Sequence, residues 1–141
     1  GSDSFQVSAT IAPVCSIAGP GPQVVNVSGP ANVDQPVGSA TLTCNFSGAS
    51  LTNLSASSQN GSVLQGQEAS VGYRFGFTAG DWGFARNPLA AGTTGVTVSS
   101  NWAPGIVVAN GTTIVPMVIQ TDTSETTAGT YTDTIYISVT P

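Results

Sequence analysis

Groups able to do acid–base, nucleophilic or metal chemistry are scarce in this chain of 141 residues. There is no histidine and no lysine; the cations are Arg74 and Arg86, and the anions are Asp3, Asp34, Glu68, Asp81, Asp122, Glu125 and Asp133. Without histidine the commonest general base is missing, and so are a Cys-His nucleophile pair and a Cys/His zinc site. The carboxylates stand singly, and nothing marks two of them as a glycosidase pair. Asp122 and Glu125 share a polar loop that could in principle hold calcium with backbone carbonyls, but a solvated loop is the plainer reading. Arg74 and Arg86 read as surface partners for scattered carboxylates. No catalytic residue, metal site or cofactor is expected, and the chain does not read as an enzyme.

Cys15 and Cys44 belong to no CxxC pair, which leaves one disulfide or two buried thiols. The Ser/Thr/Asn-rich, lysine-free surface looks extracellular and favours the disulfide. Closing a loop of about 30 residues would contribute roughly 3–4 kcal/mol in the chain-entropy account. Exposed aromatics are the other place where a binding function could reside. Trp82, Phe84 and Trp102 fall in or near Gly/Pro-rich segments, where they could stack on sugars or press on a surface. The competing reading has both tryptophans capping the ends of a core.

The bulk composition narrows the class. Only 6% of residues are charged, against about 25% in an average domain, yet 40% are hydrophobic and they alternate, which argues against disorder. A net charge of -5 makes nucleic acid and anionic membrane surfaces poor partners. No apolar run approaches the ~20 residues of a membrane span. No signal peptide heads the sequence, so it reads as a mature form or a cytosolic chain. Five Asn-x-Ser/Thr sequons, from Asn26, Asn45, Asn53, Asn60 and Asn110, are ordinary in so Ser/Thr-rich a chain.

The elements that must position these residues are strands. Period-two runs separated by Gly, Pro, Asn and Ser recur, and no stretch keeps a helical period. Phe5, Val7, Ala9 and Ile11 share one face of an opening strand that Pro13 ends. Further strands are expected at 14–17, 24–27, 40–44, 51–56 and 71–77, the last with Val71, Tyr73, Phe75 and Phe77 on one face. Others follow at 96–99, 106–109, 113–120 and 131–140. Residues 113–120 are apolar on both faces, which predicts a central strand, with a bulge or unpaired stretch at Pro116. Gly19-Pro20-Gly21-Pro22 predicts a turn, Asn60-Gly61 and Asn110-Gly111 predict hairpins, and 80–88 and 123–130 predict loops. With the weakest candidates discounted, seven to nine short strands predict a single domain, an immunoglobulin-like Greek-key β-sandwich, with a jelly roll or small barrel as runner-up. A strand at the front and none after the last predicts a sandwich one strand short.

The closing stretch Ala128-Gly129-Thr130-Tyr131-Thr132-Asp133-Thr134-Ile135-Tyr136-Ile137-Ser138-Val139 resembles the end of spore coat U domains, the subunit family of archaic chaperone–usher pili of Gram-negative bacteria. Tyr73-Arg74-Phe75-Gly76-Phe77 and Asp81-Trp82-Gly83 resemble that family's aromatic strand and Trp-Gly loop. The segment between the cysteines departs from the pattern: it lacks a Phe-Gly pair and carries the Pro/Gly-rich residues 19–36 instead.

The resemblance implies an incomplete immunoglobulin-like pilin domain over residues 13–141, with residues 1–12 as an N-terminal donor strand. Cys15 and Cys44 would form a disulfide joining the first strand to the second. Phe5, Val7, Ala9 and Ile11 would fill an acceptor groove lined by Ile135, Ile137 and Val139 on a neighbouring subunit. The implied partners are identical or homologous subunits, a periplasmic chaperone that fills the groove first, and an outer-membrane usher. The implied location is a cell-surface fimbrium supporting adhesion and biofilm formation. The alternative is the surface-binding domain of a tip adhesin using the loops of Trp82 and Trp102. An adhesin domain should pair residues 5–11 within itself; a pilin should not.

Overall fold

The computed structural model describes residues 1–47, 53–79, 82–83, 86–93, 98–101 and 109–141. These form an all-β fold with nine strands: β1 (Cys15–Ala18), β2 (Gln35–Cys44), β3 (Asn53–Ser58), β4 (Val63–Gln65), β5 (Ser70–Ala79), β6 (Trp82–Gly83), β7 (Val98–Asn101), β8 (Thr112–Thr121) and β9 (Ile135–Thr140). One sheet has the order β1-β2-β8-β5-β4, with β6 added to β5; the other has the order β7-β3-β9. Every strand pairing is antiparallel.

One core serves both sheets. Alternation puts Ala40, Leu42 and Cys44 of β2, Val71, Tyr73, Phe75 and Phe77 of β5, and Val115, Met117 and Ile119 of β8 inside. Leu54 and Ala56 of β3 close it from the second sheet, and Ile135, Ile137 and Val139 of β9 pack against it half-buried. The Phe75 and Phe77 rings meet edge to face, with centroids 5.0 Å apart. As expected, β8 lies between two full-length neighbours, although its second apolar face, with Ile114 and Pro116, is exposed. The irregularity tied to Pro116 falls in its partner: the β2 ladder shifts register between Pro36 and Ser39, and Ser39 stands opposite Pro116.

Several expectations need correction. Residues 24–27 form no strand. Asn60-Gly61 is a turn but not a hairpin, because β3 and β4 belong to different sheets. The turn chemistry was legible, with Gly61 and Ser62 both left-handed (φ 67° and 59°), but a turn between sheets uses the same residues as one within a sheet. Asn110 is likewise left-handed (φ 58°) and leads into β8, yet its neighbour Ala109 bridges Cys44 in parallel. Trp82-Gly83 is not loop but a short return strand, Ala79 facing Trp82. The expected strand 106–109 lies outside the described residues except for Ala109; of 96–99, residues 96 and 97 lie outside them and 98 and 99 fall in β7.

Polar pairs on the outer face tie these elements together. Arg86 donates from Nε to Asp34 Oδ1 at 3.1 Å and from Nη2 to Asp34 Oδ2 at 2.9 Å, while Gln120 Nε2 donates to the same carboxylate at 2.8 Å. Arg86 lies across Gly76, where a Cβ would stand 2.9 Å from its Cδ and Nη1. Arg74 reaches Asp122 at 3.7 Å in a looser, half-exposed pair. Both arginines thus serve scattered carboxylates. Glu125 accepts from the Thr126 and Thr127 amides in the polar loop. Among the described residues no three potential metal ligands cluster.

Candidate functional site: an apolar groove and an extended arm

The disulfide between Cys15 and Cys44 joins β1 to β2 at directly opposed positions, with a Cα–Cα distance of 4.1 Å. From this point the chain departs in two directions, and each forms part of the candidate site.

Forward of β1, residues 19–27 run along the outer edge of β2 without a ladder. Pro20 and Pro22 have no N–H to donate, and Gly21 is left-handed (φ 82°). Gly38 in β2 is left-handed too (φ 79°), and a Cβ there would meet Pro20 at 2.7 Å, so the close approach needs glycine. The Gln35 side chain takes the place of a strand partner, accepting from Asn26 N and donating to Asn26 O, both at 2.7 Å.

Facing this segment is the approach to β9. Thr132 exchanges both backbone hydrogen bonds with Gln65 at the end of β4. Asp133 is the knot that holds this stretch. It accepts the Tyr73 hydroxyl at 2.6 Å, the Asn60 amide at 2.9 Å and the Thr134 amide at 2.8 Å. Burial, with the adjoining carboxylate second, pushes the Tyr73 phenol far above its ordinary range, so it stays a proton donor at neutral pH. The bond to the Thr134 amide is local, whereas the Tyr73 contact across 60 residues left no trace in the sequence.

The two segments approach at Gly19, where a Cβ would sit 3.8 Å from Ile137 Cδ1. Between residues 19–27 and 129–137 lies a groove of about 840 Å³ whose floor includes Val37, Leu64, Tyr73, Phe75, Met117 and Ile119. The floor side chains are at most 8% exposed, so the open apolar surface belongs to the walls: Val24 is 95% exposed, and Val25, Val27, Ile135 and Ile137 are half-buried or nearly so. Of the three β9 residues singled out from the sequence, Ile135 and Ile137 line the groove; Val139 stands opposite Leu54 in the ladder and packs on the core instead. Among the described residues β9 pairs on one side only, with β3. The valines of 24–27, where a strand is expected, form a groove wall instead.

Backward of β1 the chain is an extended arm. Residues 1–13 belong to no strand and are exposed throughout. Phe5 is 89%, Val7 83% and Ile11 87% exposed, so the alternating apolar face is left uncovered by the described residues. The arm's root is fixed by Asn45, whose amide and side chain bind Ala12 and Val14. Of the aromatic residues considered for surface binding, Phe84 and Trp102 lie outside the described residues, and Trp82 is described only in its backbone, within β6.

No protein-family model, curated protein or solved structure matches this chain. The functional reading therefore rests on the arm and the groove.

Proposed function

We propose that this chain is a structural subunit of a surface fibre that polymerises by strand donation: residues 3–12 of one copy enter the groove of the preceding copy. The observation that carries the reading is the coexistence, among the described residues, of an alternating apolar arm with no partner and an apolar groove beside a strand paired on one side. An inserted strand would gain backbone hydrogen bonds along an open edge and side-chain contacts at every second residue. Burying Phe5, Val7 and Ile11 would contribute roughly 1.5–3 kcal/mol each by transfer estimates, and Ala9 suits a shallow site. The contact is heterologous and does not close on itself, which is how filaments arise. On this reading the fold is an immunoglobulin-like sandwich lacking one strand. The resemblance to spore coat U pilins then extends to a periplasmic chaperone, an outer-membrane usher and a fimbrial location.

The surface-binding alternative expects residues 5–11 to pair within their own domain, and the exposed arm favours the subunit. Val7→Asp or Ile11→Asp should abolish polymers while a chaperone-bound subunit still folds, as read by fibre imaging and pull-down. Normal fibres from both variants would remove the donor role.

A further inference from the structure

β1 is hydrogen-bonded only to β2 among the described residues, β9 lies close along its other side without a ladder, and the arm is joined directly to the start of β1. A short flexible tether holds such a segment at an effective concentration in the mM range. A hairpin turned over residues 12–14 would lay Phe5, Val7, Ala9 and Ile11 along β1 and toward the chain's own groove. An arm meant for a second molecule must be kept from this.

Asn45 stands at that point. Its Oδ1 accepts Val14 N–H at 2.8 Å, its Nδ2 donates to Ala12 C=O at 2.9 Å, and its own backbone N–H donates to Val14 C=O at 3.0 Å. The carboxamide copies a peptide group and continues the β1–β2 pairing past the disulfide. Pro13, between the two anchored residues, has no N–H and biases Ala12 toward extended conformations. Residues 12–14 are thereby held in line with β1, and a turn at these residues requires the Asn45 bonds to break. We propose that Asn45 is a positioning residue that keeps the arm's root extended and so directs the arm to another copy rather than to its own groove. This rests on the strand-donation reading.

The test uses the oxidised chain of 141 residues, arm included. A synthetic peptide spanning residues 3–12 is titrated against the V7D/I11D double variant, whose own arm cannot compete. Binding supports strand donation; no binding overturns that reading and the Asn45 proposal with it. Peptide binding is repeated with Asn45→Ala added, and loss of binding there overturns the proposal by making Asn45 part of the groove. Asn45→Ala and Asn45→Asp are then compared with the parent for amide exchange at Val14, monomer-to-polymer ratio and chymotrypsin cleavage after Phe5. Asn45→Ala should raise the monomer share several-fold, deprotect the Val14 amide and leave the Phe5 bond of that monomer resistant to cleavage. Asn45→Asp keeps the acceptor for Val14 and should fall between. A parent-like monomer share with an open Phe5 bond in Asn45→Ala, beside intact peptide binding, overturns the proposal while leaving strand donation standing.

Discussion

Asp34 shows how much a single carboxylate can organise. The Arg86 guanidinium, and then the Gln120 amide, hold its pKa below the ordinary value of 3.8. A depressed folded-state pKa means stability that is present above the unfolded value and lost as pH falls through the folded one. Asp34→Asn should therefore destabilise the protein at pH 7, and the gap between variant and parent should close as the pH drops below about 4. Asp34 is half exposed, so solvent screening limits the effect to about 1 kcal/mol. Urea titrations at pH 7 and pH 2.5 check both the sign and the convergence. Gly76→Ala should cost a similar amount at pH 7, because a Cβ there displaces the Arg86 side chain from above the sheet. Tyr73→Phe leaves Asp133 with only its amide donors and should cost about 1–1.5 kcal/mol. The sequence placed Tyr73 on one face of a strand and left Asp133 a single carboxylate. The bond between them could not be read, because it depends on how β5 and the approach to β9 cross in space.

At the scale of elements, alternation was a good guide wherever one face is buried. The inward residues of β2, β5 and β8 fall where period two places them, because a one-residue slip would expose the whole set. It failed at residues 24–27, where the same valine-rich pattern describes a wall held by Gln35 rather than a ladder. Composition alone cannot tell a strand from an extended segment whose prolines have removed its donors. Alternation marked Ile135 and Ile137 as sharing one face of β9, which packs on the core, whereas Gln35, Gly38 and Asn45 carried no such mark, since an amide standing in for a peptide group has no sequence signature. Gly38→Ala should destabilise by about 1–3 kcal/mol, through the left-handed backbone and the Pro20 contact, and should loosen the wall that Pro20 helps to form. Amide exchange at Asn26, reported beside the global melting temperature, separates the local effect from the general one. Reducing the Cys15–Cys44 bond should lower stability by roughly 3 kcal/mol, given a sequence separation of 29. An unchanged melting temperature in strong reductant contradicts that expectation.

For the whole molecule, the scarcity of charge and the one-sided pairing of β9 act together. A chain with 6% charged residues offers little electrostatic repulsion between copies, so on the strand-donation reading association would depend on shape and edge pairing. Size-exclusion chromatography of the full chain should therefore show concentration-dependent association that depends weakly on salt. A strongly salt-dependent profile contradicts this.

The sulfur link at the arm's root also decides how the domain bears mechanical load. Tension applied to residues 1–13 enters the sheet at Cys15 and passes covalently to Cys44, at the end of a ten-residue strand. The four-residue edge strand cannot be peeled away first, because the pull bypasses its hydrogen bonds and reaches β2 and, through β2, its long ladder with β8. Those bonds lie across the direction of the strands and are strained together rather than one after another. The domain can thus be gripped by its most slender element and still resist with its broadest.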